Sequence, residues 1–364
     1  MKRREFVGGL AAAAGLAACA QESADCEGQV DSGSETFEWS CVTSWPPKFP
    51  GLGMAPENLA TQIAEASNGR LRIKVYGGGE IVPPLEVFDA VSRGTVEMGH
   101  SASYYHKGKL DAAQFFTAIP FGMTNIELNG WLYYGGGLEL YQELYAPFDL
   151  VPFPTGNTGV QMGGWFNKEI NSVEDLKGLK MRIPGLGGEV LRRAGGTPVT
   201  LPGAEIFTAL QTGAIDATEW VGPYNDASFG LPQAATDYDY PGWQEPGPGL
   251  EPLLHTAAWD SLPPDLQAIV RTPAQAVTTD MAAEYTYGNA MSLGQLQADP
   301  NIEIRRFPDE VLRLLRTISR EVADELMARD PASAKVGKAY FDLLDKVAEN
   351  SRLAEKAYLN ARDV

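Results

Sequence analysis

Apolar and polar residues alternate where the chain reads Phe37-Glu-Trp-Ser-Cys-Val-Thr, and this period of two predicts a strand. Residues 56–67 have the apolar spacing of a helix, with proline in the first turn and glycine just past the end. Residues 308–329 and 332–362 are charged and carry apolar stripes, which predicts two long C-terminal helices. Residues 229–249 are rich in Pro, Gly, Tyr and Asp, which predicts irregular structure.

One pattern of residues occurs twice. Residues 86–98 read EVFDAVSRGTVEM and residues 205–217 read EIFTALQTGAIDA, and each pattern predicts an amphipathic helix, a glycine at its C-terminus and a short strand. Upstream, residues 71–78 and 179–186 both alternate apolar and basic residues and reach a glycine. Strand, turn, helix and strand make a β-α-β unit with parallel strands, so we expect this unit twice.

The fold class follows from the chain length and from this duplication. A chain of 364 residues exceeds what one hydrophobic core usually organises, which favours two lobes. Repeated β-α-β units predict an α/β protein. Ligands of parallel sheets bind beyond the carboxyl ends of the strands, so we expect a site in a cleft between the lobes.

The N-terminus is typical of an export signal. Residues 1–18 begin with a basic head, including Arg3 and Arg4, and continue into a short apolar run, as in a twin-arginine signal peptide. The run ends in Leu-Ala-Ala-Cys19, which resembles a lipobox with Cys19 as the acylated residue; cleavage after Ala20 is the alternative. Residues 19–36 are acidic and poor in large apolar groups, as expected of a flexible tether.

The composition excludes several classes of function. The net charge of −18 argues against a nucleic-acid-binding surface and against binding to an anionic bilayer. The chain has three histidines and three cysteines without C-x-x-C or H-E-x-x-H spacing, so we expect any metal to have oxygen ligands. Cys26 and Cys41 either form a disulfide, which would contribute about 3 kcal/mol, or remain two thiols.

Several candidate binding residues lie at predicted strand ends or in loops. Arg182 ends a strand, and a guanidinium can hold a carboxylate through two parallel hydrogen bonds. Glu219 precedes Trp220 at another strand end, while Gln161 and Glu245 supply further oxygen donors of the kind that calcium accepts. No G-x-S-x-G or G-x-x-x-x-G-K-[ST] motif is present, so we expect no enzyme.

These residues resemble the extracytoplasmic solute-binding proteins of TRAP transporters, the DctP-like family. The motifs that carry the resemblance are Asp175-LKGLKMRIPG and Ala209-LQTGAIDATEW. Within the family, Thr43-Ser-Trp-Pro and Glu219-Trp220 are similar to the subgroup that binds 2-oxo acids or lactate together with a metal ion. The resemblance implies a two-lobed periplasmic-binding-protein fold with a cleft between the lobes and long C-terminal helices.

The resemblance also implies lobe boundaries and a partner. Residues 37–159 and 248–300 would form lobe I, and residues 160–247 and 301–364 lobe II together with the C-terminal helices. The protein would act in the periplasm, without nucleic acid, and would deliver its ligand to the membrane permease subunits of a TRAP transporter. The C-terminal helices would either pack on their own lobe or form a homodimer.

The resemblance assigns roles to individual residues. Arg182 would clamp the substrate carboxylate. Gln161, Glu219 and the Trp220 carbonyl would bind the ion, with a further ligand from the loop of Glu245, where the neighbouring Gln244 is the alternative. The implied substrate-contacting residues are Arg182, Gln161, Tyr104, Trp220, Asn225 and Trp45.

The charge balance of the site distinguishes between calcium and sodium as the bound ion. If Glu219 and Glu245 both bind it, then the two glutamates, a substrate carboxylate, Arg182 and Ca²⁺ sum to zero, whereas Na⁺ leaves a buried negative charge. Calcium is therefore preferred, and sodium is equally plausible if Gln244 replaces Glu245. The expected ligand is a small monocarboxylic 2-oxo or 2-hydroxy acid. The alternatives are a C4-dicarboxylate-binding TRAP protein, an exported carboxylic-acid enzyme and a sensor module.

Overall fold

The computed structural model of the protein describes residues 35–364. The predicted signal segment 1–18, Cys19 and Cys26 lie outside the described residues, as does nearly all of the predicted tether 19–36. Cys41 is buried in β1, defined below. From residue 35 onwards, no helix combines the length and apolarity needed to cross a bilayer.

Eleven strands in the described part of the chain form two sheets. Sheet one has the order β2-β1-β3-β10-β4 and sheet two the order β11-β9-β5-β8-β6-β7. The strands are β1 Phe37–Thr43, β2 Leu71–Tyr76, β3 Met98–Ser101, β4 Leu150–Pro152, β5 Gly164–Phe166, β6 Lys180–Arg182, β7 Thr197–Val199, β8 Ala217–Thr218, β9 Asp237–Tyr240, β10 Glu251–His255 and β11 Glu303–Arg306.

Thirteen α-helices of the same region surround the sheets. They are α1 Met54–Ala66, α2 Val87–Ser92, α3 Gln114–Thr117, α4 Asn125–Tyr134, α5 Gly137–Tyr145, α6 Gly185–Arg193, α7 Gly203–Gln211, α8 Pro223–Ser228, α9 Thr256–Ser261, α10 Pro264–Ala298, α11 Asp309–Met327, α12 Pro331–Leu353 and α13 Glu355–Arg362. The two-lobed α/β fold with long C-terminal helices that the sequence predicts is therefore confirmed.

The duplicated helix and strand are present, but their upstream partner was matched wrongly. Helices α2 and α7 are each followed by a glycine with positive φ, Gly94 at 67° and Gly213 at 72°, and then by β3 and β8. The chain orders β1-α1-β2-α2-β3 and β6-α6-β7-α7-β8 give the same parallel arrangement, with β1 and β6 in the middle.

The true counterpart of β2 is therefore β7, whereas the sequence match paired it with β6. The alternation of apolar and basic residues describes any half-exposed strand and carries no information about its place in the sheet.

The chain passes between the sheets in two segments that contain no helix and no regular strand. Residues 153–163 lead from β4 into β5, residues 241–250 lead from β9 into β10, and an antiparallel bridge joins Asn157 to Gly249. β10 and β5, which adjoin these segments, run antiparallel to their neighbours, unlike the parallel β-α-β core. Gln161 and Glu245 lie on these two segments, and the predicted lobe boundaries, which stay a prediction, also fall near them.

The C-terminal helices pack on the chain itself. α11 packs against α6, and α12 packs against α11, α4 and α5. The Tyr340 hydroxyl accepts a hydrogen bond from the Met123 backbone N–H at 2.7 Å, and its ring lies 5.3 Å from that of Trp131. α12 thus contacts elements that adjoin sheet one, although its sequence range was assigned to lobe II. All residues of α13 are exposed.

Candidate functional site

A small cavity lies where the ends of both sheets meet the two crossing segments. Its walls come from the loop after β1, from a 3₁₀ turn after β3, from the residues after β8 and from residues 158–161 and 245–250. The lining residues are Trp45, Leu52, Tyr104, Tyr105, Thr158, Gln161, Trp220, Val221, Glu245, Pro248 and Leu250. One wall is therefore aromatic and aliphatic, and the two crossing segments supply the amide of Gln161, the hydroxyl of Thr158 and the carboxylate of Glu245.

Arg182 is the last residue of β6 and is 1% exposed. Its Nε donates to the Leu201 carbonyl at 3.2 Å, its Nη1 pairs with the Glu219 carboxylate and its Nη2 donates to the Tyr105 hydroxyl at 3.3 Å. The guanidinium carbon lies 5.1 Å from the centre of the Trp220 ring. Because Tyr105 follows β3 of sheet one, Arg182 of sheet two contacts the opposite wall.

Two buried oxygen atoms beside this ion pair have no hydrogen-bond partner among the described residues. They are Oε2 of Glu219 and Oε1 of Gln161. The other amide atom of Gln161, Nε2, donates to Glu245 Oε2 at 2.8 Å. A buried acceptor without a partner costs about 1–3 kcal/mol, so these oxygens are suited to accept from a cation or from a hydrogen-bond donor of a ligand.

The carboxylates of the site are held in an unfavourable environment for negative charge. Burial raises the pKa of Glu219 to about 7, although the neighbouring Arg182 opposes this shift. Burial, and then repulsion by Glu219, raises the pKa of Glu245 well above its usual range. Two carboxylates therefore share one guanidinium in a region from which water is largely excluded.

A 3₁₀ turn, Ser103–His106, presents two tyrosines to the cavity. On its other side, Ser103 Oγ donates to Glu251 Oε2 at 2.8 Å and His106 Nε2 lies 2.8 Å from Glu251 Oε1. Residues three apart lie on one face of a 3₁₀ helix, which leaves Tyr104 and Tyr105 on the other side. The buried Glu251 thus fixes the turn that carries this wall.

Trp45 is held by a buried histidine. Its indole Nε1 donates to His100 Nδ1 at 2.7 Å, and His100 Nε2 lies 3.0 Å from the Thr155 carbonyl, to which it donates. These two bonds require the neutral imidazole with its proton on Nε2. Burial lowers the pKa of His100 to about 4. His100 therefore links the loop after β1 to the crossing segment.

The structure brings most of the residues singled out from the sequence together. Trp45, Tyr104, Gln161, Trp220 and Glu245 line the cavity, and the pair of Arg182 and Glu219 lies directly beside it.

Gln244, the alternative to Glu245, and Asn225, predicted as a substrate-contacting residue, do not line the cavity. The Gln244 amide donates to the Met162 carbonyl at 2.9 Å and its side chain does not line the cavity. Asn225 is fully buried away from the cavity lining, where its amide bonds to Pro50 and Tyr285.

The wall residues that were not among the predicted site residues are Leu52, Tyr105, Thr158, Val221, Pro248 and Leu250. Tyr105 follows Tyr104 directly, and its contact depends on the 3₁₀ turn, which has no sequence signal of its own. Thr158 lies three residues before Gln161 and its Oγ1 accepts from Gln161 Nε2 at 3.3 Å. A hydroxyl residue so close to a predicted ligand was the signal that could have identified it.

Metal binding can be tested on the donor set itself. No group of three or more His, Cys, Asp or Glu side chains in residues 35–364 has the arrangement of a metal site. The expected set contains only two carboxylates, with an amide oxygen and a main-chain carbonyl as the other donors, so it need not form such a group. The two unpartnered oxygens of Gln161 and Glu219 are ligands that hard cations accept.

Two sheets joined by crossing segments, with a buried polar site between them, are typical of a protein that binds a small molecule in a cleft between two lobes. Residues 41–330 match the model of the family described as bacterial extracellular solute-binding protein, family 7 (DctP). The chain belongs to this family, which is a periplasmic transport family.

The relatives agree with the family match. The chain is 43% identical over 363 residues to a monocarboxylate 2-oxoacid-binding periplasmic protein of Nostoc sp., covering 99% of this chain and 98% of that protein. A TRAP periplasmic solute-binding protein of Pseudoalteromonas atlantica, solved with bound sodium and pyruvate, is 45% identical with a TM-score of 0.87, over 90% and 99% of the two chains. One from Colwellia psychrerythraea, with bound calcium and pyruvate, is 43% identical with a TM-score of 0.87, over 90% and 100%.

The neutral His100 predicts a pH dependence of stability. Its pKa of about 4 in the folded protein lies below the unfolded value near 6.5, so its contribution is fully present above about pH 6.5 and is lost as the pH falls towards 4. Between pH 6.5 and pH 4, the free energy of unfolding measured with urea should fall by up to about 3 kcal/mol more for the wild type than for His100→Asn, because asparagine does not titrate. Equal pH profiles of the two proteins would contradict the assignment.

Proposed function

We propose that this chain is the substrate-binding subunit of a TRAP transporter and captures a small monocarboxylic 2-oxo or 2-hydroxy acid, of the pyruvate or lactate type, together with a metal ion. The observation that carries the proposal is the pair of unpartnered oxygens, Gln161 Oε1 and Glu219 Oε2, beside the Arg182 guanidinium. The two oxygens can bind a cation, and the neighbouring Arg182 guanidinium can donate hydrogen bonds to an anion. Relatives solved with pyruvate and sodium or calcium support the same pairing.

Arg182 is proposed to hold the substrate carboxylate. Leu201, Glu219 and Tyr105 occupy some of its N–H groups, and one N–H of Nη2 has no acceptor among these residues. A carboxylate entering beside Tyr105 accepts from Nη2 and stays within the field of the guanidinium. The aromatic walls of Trp45, Tyr104 and Trp220 then exclude water and strengthen these bonds.

The ion is proposed to bind Gln161, Glu219, the Trp220 carbonyl and Glu245. Its role is to supply the positive charge that two buried carboxylates and a substrate carboxylate require. Of the alternatives left by the sequence, Glu245 is favoured over Gln244, because Glu245 lines the cavity and is bonded to Gln161. With two glutamates in the set, Ca²⁺ balances the charge and Na⁺ leaves one negative charge, so we propose calcium as the preferred ion.

The same charge balance disfavours the runner-up ligand class. A C4-dicarboxylate brings a second negative charge, and the residues that line the cavity include no lysine or arginine to receive it. Arg182, whose guanidinium contacts the lining residues Tyr105 and Trp220, already bonds to Glu219. A monocarboxylate is therefore the better fit.

Capture is proposed to proceed by closure of the two lobes. Arg182 and Glu219 are at most 1% exposed and Glu245 is 4% exposed, so the walls must separate for a ligand to enter. Ligand and ion bridge both walls and thereby favour the closed form. The closed protein then delivers its ligand unaltered to the membrane permease subunits. Turnover of a bound 2-oxo acid would favour an exported enzyme instead, and a kinase partner would favour a sensor module.

The remaining features of the mature protein are proposals from the sequence. They comprise twin-arginine export to the periplasm, a lipid anchor on Cys19 and the alternatives for Cys26 and Cys41. A homodimer through the C-terminal helices is supported by the exposed apolar residues Leu353, Tyr358 and Leu359 at the end of the tail.

Removal of the ion should weaken capture of the acid. Isothermal titration calorimetry with pyruvate after dialysis against EDTA should show a dissociation constant at least about tenfold higher than in saturating Ca²⁺, because the ligand then loses its contact with the ion. Na⁺ should restore less affinity than Ca²⁺. If EDTA, Ca²⁺ and Na⁺ leave the affinity for pyruvate unchanged, the proposal that an ion takes part in binding is wrong.

Arg182→Lys separates the charge of Arg182 from its geometry. Lysine keeps a positive charge for the buried Glu219 but cannot form the planar fork, so the pyruvate dissociation constant should rise about a hundredfold. The melting temperature should fall by a few degrees, because the bonds to Leu201 and Tyr105 are lost, and the protein should remain folded. Arg192→Lys, at an exposed position of α6, is the matched control and should bind normally. Wild-type affinity in Arg182→Lys would exclude the clamp.

A further inference from the structure

A second contact joins the two halves of the protein outside the ligand cavity. Residues 44–53, named the strap here, leave β1 of sheet one and lead into α1. They lie against α8, which follows β8 of sheet two, and against α10, which packs on both α1 and α8. The strap therefore crosses from one half of the molecule to the other.

The polar centre of this contact is Asn225, which is fully buried. Its Nδ2 donates to the Pro50 carbonyl of the strap at 3.0 Å, and its Oδ1 accepts from the Tyr285 hydroxyl of α10 at 2.6 Å. One amide thus bonds simultaneously to the strap and to α10, and it is not among the groups that line the cavity.

A carboxylate and a glycine extend the junction. Glu284 Oε1 accepts from the Gly51 backbone N–H of the strap and from the Tyr224 hydroxyl of α8, both at 3.0 Å. Gly51 has φ 64°, and a Cβ at this position would lie 2.4 Å from the Tyr285 ring. The strap therefore fits against α10 with no space for a side chain at position 51.

The apolar part of the junction is continuous with the wall of the cavity. The Phe49 ring of the strap stacks on Phe229 at 4.2 Å and meets Trp220 edge-on at 6.3 Å. Trp220 lines the cavity, and the strap itself contributes Trp45 and Leu52 to the same cavity. When the strap packs against α8 and α10, it therefore also completes the wall of the cavity.

We infer that the strap and Asn225 form a latch that sets the equilibrium between the open and the closed protein, so that Asn225 acts as a positioning residue without touching the ligand. This inference rests on the proposed function. A ligand that binds only the closed form has an apparent dissociation constant equal to its intrinsic constant divided by the closed fraction. Loss of the latch therefore weakens every ligand by the same factor.

The test compares three variants by calorimetry with pyruvate, 2-oxobutyrate and lactate in saturating Ca²⁺. Asn225→Ala and Tyr285→Phe each remove the bond between α8 and α10 at the strap, and the phenylalanine keeps the packing. Both should weaken all three acids by one common factor of about 5 to 50, with relative affinities unchanged within about twofold. Asn289→Ala, which removes the bond to the Tyr224 N–H between the same two helices but away from the strap, should bind like the wild type.

An altered order of affinities in Asn225→Ala would overturn the latch, because it would mean that Asn225 contacts the ligand. Wild-type affinity in both Asn225→Ala and Tyr285→Phe would also overturn it. So would a loss of affinity in Asn289→Ala equal to that in the latch variants. A ligand-free measurement separates this inference from the proposed function. Small-angle scattering of the unliganded protein should give a larger radius of gyration for Asn225→Ala than for the wild type. If the wild type binds none of the acids, the proposed function fails. The latch is overturned if the unliganded wild type and Asn225→Ala have equal radii of gyration.

Discussion

The buried pair of Arg182 and Glu219, with Glu245 close by, is the interaction on which the rest of the structure depends. A guanidinium can offset one carboxylate in a dry region, and a second carboxylate leaves an excess negative charge whose burial costs several kcal/mol. The raised pKa values of both glutamates express this cost. A bound cation removes the imbalance and at the same time creates a place for an organic anion, which explains why ligand and ion are proposed to bind together.

The positions of these charged residues follow from the duplicated parallel core of the two sheets and from the two segments that cross between them. Each sheet has the same parallel β-α-β-α-β core, so the carboxyl ends of β3 and β6 face the same cleft with Tyr105 and Arg182 at their tips. The two crossing segments then add Gln161 and Glu245, which could not come from either sheet alone. Two of the residues proposed to bind the ion, Gln161 and Glu245, therefore lie on segments that connect the halves, and the strap adds a further connection through Asn225, which does not line the cavity.

The sequence predicted the parts of the site that sit at the ends of repeated elements. Arg182 and Glu219 follow strands whose pattern is regular, so the rule for parallel sheets located them. Gln244 and Glu245 could not be distinguished from the sequence, because a turn at residues 243–244 directs the Gln244 amide to the Met162 carbonyl and leaves Glu245 on the cavity. Asn225 was expected in the pocket, yet the approach of α10 and the strap turns its amide towards contacts that are distant in sequence. The pairing of β2 with β6 failed for a related reason, since alternation reports exposure and not strand order.

The most direct measurement is a crystal structure of the protein grown with pyruvate and Ca²⁺. We expect an ion about 2.3–2.6 Å from Gln161 Oε1 and Glu219 Oε2, with a pyruvate oxygen in its coordination shell and the pyruvate carboxylate on Arg182. Pyruvate bound with those two oxygens still unpartnered and no ion beside them, or bound at another place on the protein, would contradict it.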